Sequence, residues 1–253
     1  MNSGIYCMLW IVTWLPGQLT QNIADSSNQG LKQIPESNFA VNVTKITLAS
    51  NQLSVIVDGA FSKYNHLDNV DLSDNTITEI GALAFNNTIL KILKLSKNLL
   101  SSLPNLVCVK DTLQILSVWQ NNISTIDTIS SLVNLVKLNL NSNSLTYIKS
   151  ELFHNLSSLE TLLLRNNKLT TIGNLGQPSR TLTTVDFEHM DFTCDRELCW
   201  MLALNYSAIV GTCNSPAEYN GTDINVAVYL MDCYAISKNI QMRCTNRGKK
   251  ENH

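Results

Sequence analysis

An eleven-residue pattern that recurs seven times constrains the fold of this chain more than any other feature. Each copy reads apolar-x-x-apolar-x-apolar-x-x-Asn-x-apolar, from "VTKITLASNQL" at 43–53 to "LTTVDFEHMDF" at 182–192, where Met190 replaces the asparagine. The copies begin at residues 43, 67, 90, 113, 135, 159 and 182, so they are 22 to 24 residues apart. A near-constant period of this length predicts a stack of similar units.

The spacing within each copy predicts a short strand followed by a turn. Apolar positions 4 and 6 place side chains on one face of a strand, whereas positions 5 and 7 point to the other face. One unit cannot bury its own apolar face, so neighbouring units stack and their strands pair in parallel. The asparagine at position 9 falls where the chain turns, and its amide can satisfy backbone groups there. The stack therefore predicts an asparagine ladder of Asn51, Asn75, Asn98, Asn121, Asn143 and Asn167.

The second half of each unit returns along the outer side of the stack. Aromatic residues in "AF" and "LF" pairs, Phe61, Phe85 and Phe153, are predicted to fill the outer core between units. Repeats three, four and six have no phenylalanine there, so their returns are predicted to pack differently, as looser turns.

These repeats resemble those of extracellular leucine-rich-repeat proteins of the Toll-like, Slit and lamprey variable-receptor type. The resemblance covers about Leu31 to Cys233. It implies an α/β-type solenoid, a curved leucine-rich-repeat horseshoe with a concave parallel β-sheet and a disulfide-stapled C-terminal cap. In this division, residues 43–190 form seven leucine-rich repeats and residues 191–233 form the cap.

The C-terminal cap is identified by its cysteines and by the residues that precede them. Met190-Asp191-Phe192 stands where the family usually has Asn-Pro-Phe, and four residues instead of one separate the first two cysteines. The family's pairing would join Cys194 to Cys213 and Cys199 to Cys233, although spacing alone leaves three pairings open. Trp200 and the apolar residues after it predict a short helix over the last repeat. No histidine has the spacing of a zinc finger, which favours bridges over a metal site.

The N-terminal region predicts export. Residues 1–17 contain an uncharged apolar run from Ile5 to Leu15 that suits a signal peptide, with cleavage between 17 and 24; a signal anchor is the alternative. No later run has membrane length, so the mature chain is expected to be secreted, extracellular and without a membrane span. Residues 25–42 then form an atypical N-terminal cap without cysteines, its edge covered by a strand near Leu31–Ile34. Residues 234–253 form a polar tail.

Glycosylation sequons and unpaired cysteines agree with an extracellular chain. The six sequons lie at Asn42, Asn86, Asn122, Asn155, Asn205 and Asn220. Outside the cap, Cys7 is expected to leave with the signal peptide. Two outcomes stay open for the others: a bridge between Cys108 and Cys244, or a buried free Cys108 with an exposed Cys244 that links two chains. A homodimer through Cys244 or through the N-terminal edge is therefore considered.

Several functional classes are disfavoured. The net charge of −2 and the absence of a strongly basic block argue against a nucleic-acid partner. The four histidines are scattered, no Gly-rich phosphate loop occurs, and the cap carries no redox CxxC motif. The sequence therefore predicts no catalytic residues, no cofactor and no metal. A binding module for an extracellular protein or glycan is favoured, and a structural scaffold associated with the extracellular matrix is the alternative.

The outward strand positions hold the candidate ligand-binding residues because they vary, whereas the inward positions are uniform. Trp119 at position 7 interrupts a column of mostly small or polar residues. An aromatic anchor with nearby aliphatic side chains and an arginine matches the composition of a binding hot spot. By analogy with the family, the predicted context is innate recognition or cell-surface signalling. The predicted concave-face site comprises Trp119, Ile92, Ile115, Lys94, Asp71, Asn139, Asn141, Leu163 and Arg165, with a glycan on Asn122 at its rim.

Overall fold

A computed structural model of the protein describes residues 22–35, 39–175, 181–203, 209–231 and Cys233. The predicted signal peptide, the polar tail, Asn205 and Cys244 lie outside these residues. In chain order the strands are β1 (Ile23–Asp25), β2 (Lys45–Thr47), β3 (Val55–Ile56), β4 (Asn69–Asp71), β5 (Glu79–Ile80), β6 (Ile92–Lys94), β7 (Ile115–Ser117), β8 (Lys137–Asn139), β9 (Thr161–Leu163), β10 (Thr184–Asp186) and β11 (Ile209–Val210).

One parallel sheet runs the length of the molecule, in the order β1-β2-β4-β6-β7-β8-β9-β10-β11. Its strands are in register, so that Ile92 faces Ile115 and Ile115 faces Lys137 across the sheet. Position 4 of every repeat, such as Leu93 or Leu116, is completely buried or nearly so. The predicted solenoid with a concave parallel sheet is confirmed.

The asparagine ladder is present with all six predicted members. Each side chain is buried, and its Nδ2 donates both to the position-6 carbonyl of its own repeat and to a matching backbone carbonyl of the unit before. The Oδ1 atom accepts a backbone N–H from the preceding repeat, as Asn121 does from Leu100 at 3.1 Å. The ladder thus joins neighbouring repeats where their strands end.

A residue in the left-handed conformation reverses the chain at position 8 of every repeat. The φ angles lie between 53° and 58° although none of these residues is glycine: Ser50, Asp74, Lys97, Gln120, Ser142, Asn166 and His189. This conformation is uncommon for residues with a side chain. In repeats one to six the backbone is held there because the position-8 N–H donates to the position-7 carbonyl of the next repeat, as from Lys97 to Trp119 at 2.8 Å.

The returns of repeats three and four differ from those of repeats one and two, but they form short 3₁₀ helices and not the predicted looser turns. Repeat five has such a helix although it carries Phe153, and part of the return of repeat six lies outside the described residues. In the first two repeats, β3 and β5 pair in parallel, and the rings of Phe61 and Phe85 stack 5.3 Å apart. Short 3₁₀ helices cross the next three returns, at Val107–Val109, Ile129–Ser131 and Ser150–Phe153. Buried aliphatic residues replace the phenylalanine in repeats three and four: Leu103, Leu106 and Val109, then Ile126, Ile129 and Leu132.

The C-terminal cap closes the last repeat with two disulfides. A 3₁₀ helix at Arg196–Ala203 includes Trp200, and an α-helix, α1 (Ile224–Leu230), follows a 3₁₀ turn at Ala217–Tyr219. The bridges are Cys194–Cys213 and Cys199–Cys233, the pairing that the family resemblance implied.

The thiol of Cys108 is free in the described part of the chain, and Cys244, the other half of the considered bridge, lies outside the described residues. Cys108 is also half-buried against the core, not fully buried as the alternative expected. Its Sγ donates to the carbonyl of Ala82 at 3.1 Å, on the outer side of the molecule.

The strand that covers the N-terminal edge lies earlier than predicted. Residues 31–34 form no strand, whereas β1 at Ile23–Asp25 pairs in parallel with β2. β1 begins two residues before the predicted cap boundary at 25. Its segment is a degenerate repeat, in which Asn28 has the left-handed conformation of position 8 and Ser26 takes the place of an inward leucine. Because the hydroxyl and amide of Ser27 both donate to Asp25, the pKa of that carboxyl is lowered.

We expect a chain that begins at Gly30 to be less stable than one that begins at Asn22. The shorter chain loses the β1–β2 pairing and the N–H of Gln29 that donates to Asn51 Oδ1. At about 1 kcal/mol for each net hydrogen bond, the free energy of unfolding falls by roughly 2–4 kcal/mol. Urea denaturation of both chains, secreted behind the same foreign signal peptide, measures this. Equal midpoints would show that β1 is dispensable.

Candidate ligand-binding face

The structure brings the predicted site residues together on the open face of the long sheet. We call this surface, formed by positions 3, 5 and 7 of the strands, the concave face. Strand register places Lys94 beside Ser117, Ser117 beside Asn139, and Asn139 beside Leu163. The nine predicted residues are half-buried or exposed: Asp71, Ile92, Lys94, Ile115, Trp119, Asn139, Asn141, Leu163 and Arg165.

The side chain of Trp119 is less exposed on this face than its strand position predicted. The side chain is half-buried, and Nζ of Lys97 sits 5.3 Å from the centroid of its ring. Ser96, at the same position one repeat earlier, is only 3% exposed. On the other side, the Oδ1 atom of Asn141 is buried and has no hydrogen-bond partner. The indole is therefore partly packed and partly available to a ligand.

Lys97 was not among the predicted site residues. It occupies position 8, beyond the strand, where a side chain is ordinarily expected to point away from the sheet. The left-handed backbone of Lys97 and its hydrogen bond to the Trp119 carbonyl place the ammonium over the indole, a cation–π arrangement. The sequence signal that could have revealed it is a lysine directly before the ladder asparagine of the repeat that precedes Trp119.

Ion pairs hold charged side chains at both ends of the predicted site. Lys94 pairs with Asp71 at 3.2 Å, and Arg165 pairs with Glu188 at 2.7 Å. The cations are 45% and 44% exposed, so each pair contributes little to stability. Their effect is to orient the cations along the sheet surface.

Where position 5 carries aspartate or asparagine, a local turn holds that side chain in one orientation. Asp71, Asn139 and Asp186 each accept the backbone N–H of the residue two positions later, at 2.9 to 3.1 Å. These carboxylate and amide groups are therefore rigid parts of the face, not freely rotating side chains.

The described sequons leave the concave face clear. Asn86 and Asn155 lie on the outer returns, Asn42 precedes the first repeat, Asn122 lies at the edge beside the ladder, and Asn220 is in the C-terminal cap. All five asparagines are exposed, and none occupies position 3, 5 or 7. N-glycans at these sites would cover the back and the edges of the solenoid while leaving the sheet surface open.

The described part of the chain offers no grouping of three or more His, Cys, Asp or Glu side chains suited to a metal ion. His189 follows Asp186 and Glu188 closely, but Glu188 is engaged by Arg165. Nor does any helix within the described ranges have the length and apolar character required to cross a bilayer.

Two family models match the repeat region. The model described as leucine rich repeat matches residues 111–169 and 133–184, and the model described as BspA type leucine rich repeat region matches residues 21–114. Together they extend from residue 21 to residue 184, and therefore include the segment of β1 that the repeat pattern had not identified.

Characterised relatives include receptors and glycoproteins. Mouse Toll-like receptor 7 is 27% identical over 201 residues, which is 67% of this chain and 19% of that protein. Human leucine-rich repeats and immunoglobulin-like domains protein 3 is 29% identical over 174 residues, 67% of this chain and 15% of its own length. Human oligodendrocyte-myelin glycoprotein is 27% identical over 162 residues, which is 62% of this chain and 36% of that protein. This chain thus spans about a third or less of these relatives, and none is named as an enzyme.

Solved structures share the fold. Human 5T4, the trophoblast glycoprotein, superimposes with a TM-score of 0.60 at 21% identity, over 81% of this chain and 91% of that one. TLR13 in its complex with ssRNA13 gives a TM-score of 0.64 at 22% identity, over 76% of this chain and 28% of that one. The family models agree with the repeat pattern, the asparagine ladder and the two disulfides of the cap. The chain therefore belongs to the leucine-rich-repeat proteins and carries a disulfide-bonded, cysteine-rich C-terminal cap.

Proposed function

We propose that this protein is secreted and binds an extracellular protein through its concave face, in innate recognition or cell-surface signalling. The observation that carries the proposal is a varied, sequon-free sheet surface centred on the half-exposed Trp119. The apolar run in residues 1–17 supports export, and the similarity to receptor-type relatives supports ligand binding.

The energetics require a patch around Trp119, because one indole is not sufficient. Association costs roughly 4–15 kcal/mol in lost freedom, whereas burying a single large apolar side chain returns only about 1.5–3 kcal/mol. Ile92 and Ile115 are neighbours in register beside it, and Leu163 lies two strands further on. These half-buried aliphatic groups extend the apolar contact area without long flexible side chains.

A glycan placed on the concave face should abolish ligand capture. Asn141→Thr converts Asn139-Leu140-Asn141 into a sequon, so that a glycan on Asn139 occupies the centre of the face. The matched control is Val107→Thr, which creates the sequon Asn105-Leu106-Thr on the outer return, where both Asn105 and Val107 are exposed. Trp119→Ala is expected to weaken capture at least tenfold, since hot-spot truncations cost about 2 kcal/mol or more.

Immobilised wild-type and variant proteins are exposed to extracellular fluid of the source organism, and bound proteins are quantified by mass spectrometry. The expected partner binds wild type and the Val107→Thr protein, and is lost from the Asn141→Thr and Trp119→Ala proteins. Glycan occupancy is measured by mass shift, and secretion yield reports folding. A partner retained by the Asn139-glycosylated protein would contradict the proposal.

A further inference from the structure

Charge is distributed unevenly along the sheet surface. At positions 3, 5, 7 and 8, repeats three to six carry four cations and no carboxylate. We call these cations, Lys94, Lys97, Lys137 and Arg165, the basic band. Carboxylates flank it on both sides, at Asp71 and Asp74 in repeat two and at Asp186 and Glu188 in repeat seven. The net charge of −2 of the whole chain conceals this pattern.

The outer and inner cations of the basic band differ in their partners. Lys94 and Arg165, at the two ends, are already paired with the flanking Asp71 and Glu188. Lys97 rests on the indole of Trp119, and Lys137 is exposed beside Ile115 on the next strand. The centre of the band therefore presents two ammonium groups that have no carboxylate partner within the described residues, next to apolar surface.

The length of the band limits what it can bind. Lys94 lies on β6 and Arg165 lies two residues after the end of β9, which is three strand spacings away in the sheet order. At about 4.8 Å for each spacing, the band is roughly 14 Å long, which corresponds to about four residues of extended chain. Beyond either end, Asp74 and Asp186, which form no ion pair within the described residues, would repel a continuing run of negative charge. A long polyanion needs an uninterrupted basic track, which this face does not provide.

We propose that the concave face recognises a short acidic segment of its protein partner, about four residues long, in which carboxylates alternate with an apolar or aromatic side chain. The carboxylates pair with Lys97 and Lys137, and the apolar side chain packs on Trp119 and Ile115. Residues flanking the segment are neutral or basic, since they meet the carboxylates at the ends of the band. This inference rests on the proposed function and adds the chemistry of the ligand.

The test selects ligands from a displayed library of random eight-residue peptides on the full-length wild-type protein, after depletion on the glycosylated Asn141→Thr protein. Enriched peptides are expected to carry an acidic and aromatic core. Replacing both inner cations, Lys97→Gln with Lys137→Gln, should weaken their binding about tenfold. The control double variant Lys32→Gln with Lys110→Gln removes the same charge at exposed positions outside the strands and should leave binding unchanged. Binding should also weaken as salt is raised from 50 to 300 mM.

The other outcomes separate this inference from the proposed function. Enriched peptides with neutral or basic cores that still depend on Trp119 would overturn the acidic-segment inference and leave the proposed function standing. Polyuridylate RNA or heparin that binds with the same lysine dependence and displaces the peptides would overturn it in favour of a polyanion. No enrichment beyond the glycosylated Asn141→Thr protein would overturn the acidic-segment inference, whereas the proposed function is overturned by the capture experiment if the partner is retained by that protein.

Discussion

Replacing Asn121 with alanine is expected to lower the free energy of unfolding by about 3–5 kcal/mol, because its buried side chain satisfies backbone groups of two repeats. Asn121 donates to the carbonyls of Leu95 and Val118 at 3.0 and 2.9 Å and accepts the N–H of Leu100 at 3.1 Å. Alanine leaves these buried backbone groups without partners, and each costs roughly 1–3 kcal/mol. Equilibrium urea denaturation followed by circular dichroism measures the loss.

The neighbouring Asn122 is the matched control for that substitution. It is exposed, and among the described residues only its backbone N–H has a hydrogen-bond partner, the carbonyl of Leu100 at 2.9 Å. Asn122→Ala should therefore change the free energy of unfolding by less than about 0.5 kcal/mol. Because it also removes a sequon, both proteins are compared after enzymatic removal of glycans. A similar effect of the two substitutions would mean that the ladder does not join the repeats as described.

Removal of the Cys194–Cys213 bridge is the second large effect. Both half-cystines are buried, and they close a loop with a sequence separation of 19 residues. The chain-entropy relation assigns about 3 kcal/mol to a loop of this size, and the buried sulfur contacts add to that. We expect the Cys194→Ala, Cys213→Ala protein to lose about 3–5 kcal/mol and to be secreted poorly.

Thermal unfolding and limited proteolysis report this loss separately. The melting temperature should fall, and cleavage should begin within the cap before it reaches the repeats. Cys108→Ala is the control because its thiol is free and half-buried, and it should shift stability by no more than about 1 kcal/mol. A bridge-free protein with an unchanged melting temperature and an intact cap would refute the role assigned to the disulfide.

Most of the repeat architecture could be predicted because burial follows from the period. Once positions 4, 6 and 9 are aligned, residues such as Leu116, Val118 and Asn121 must all point into the same stack, and they do. The N-terminal strand escaped prediction because its inward residues are Ala24 and Ser26 instead of leucines. Backbone hydrogen bonds to β2 hold that segment more than side-chain packing does, and a hydrophobic pattern does not record them.

The α-helix of the cap escaped for a different reason. Its sequence, "INVAVYL" at Ile224–Leu230, is rich in β-branched residues that favour strands. Tertiary contacts stabilise the helix instead, since Ile224, Ala227 and Val228 are buried on one side. The available signal was Asp223, which caps the helix by accepting the N–H of Asn225 at 2.8 Å.

The face to which the candidate site's side chains point could be predicted from the sequence, but how far each is buried could not. Strand alternation assigned Trp119 to the open face, yet it could not show that the indole lies partly packed beside Ser96 and beneath Lys97. Lys97 depends on a backbone conformation that the position-8 residues adopt without glycine. Neither the ring depth nor the lysine position is encoded in the period of the repeat.

The two ends of the solenoid are closed by unequal means, and this gives its unfolding a direction. The C-terminal cap is held by two covalent bridges, whereas the described N-terminal cap is held by strand pairing and by hydrogen bonds to Asn51. In a stack where each unit contacts only its neighbours, opening starts at the end with the weaker closure. The protein therefore frays from the N-terminal side, and the strands that carry Trp119 and the basic band lie several repeats away from the fraying end.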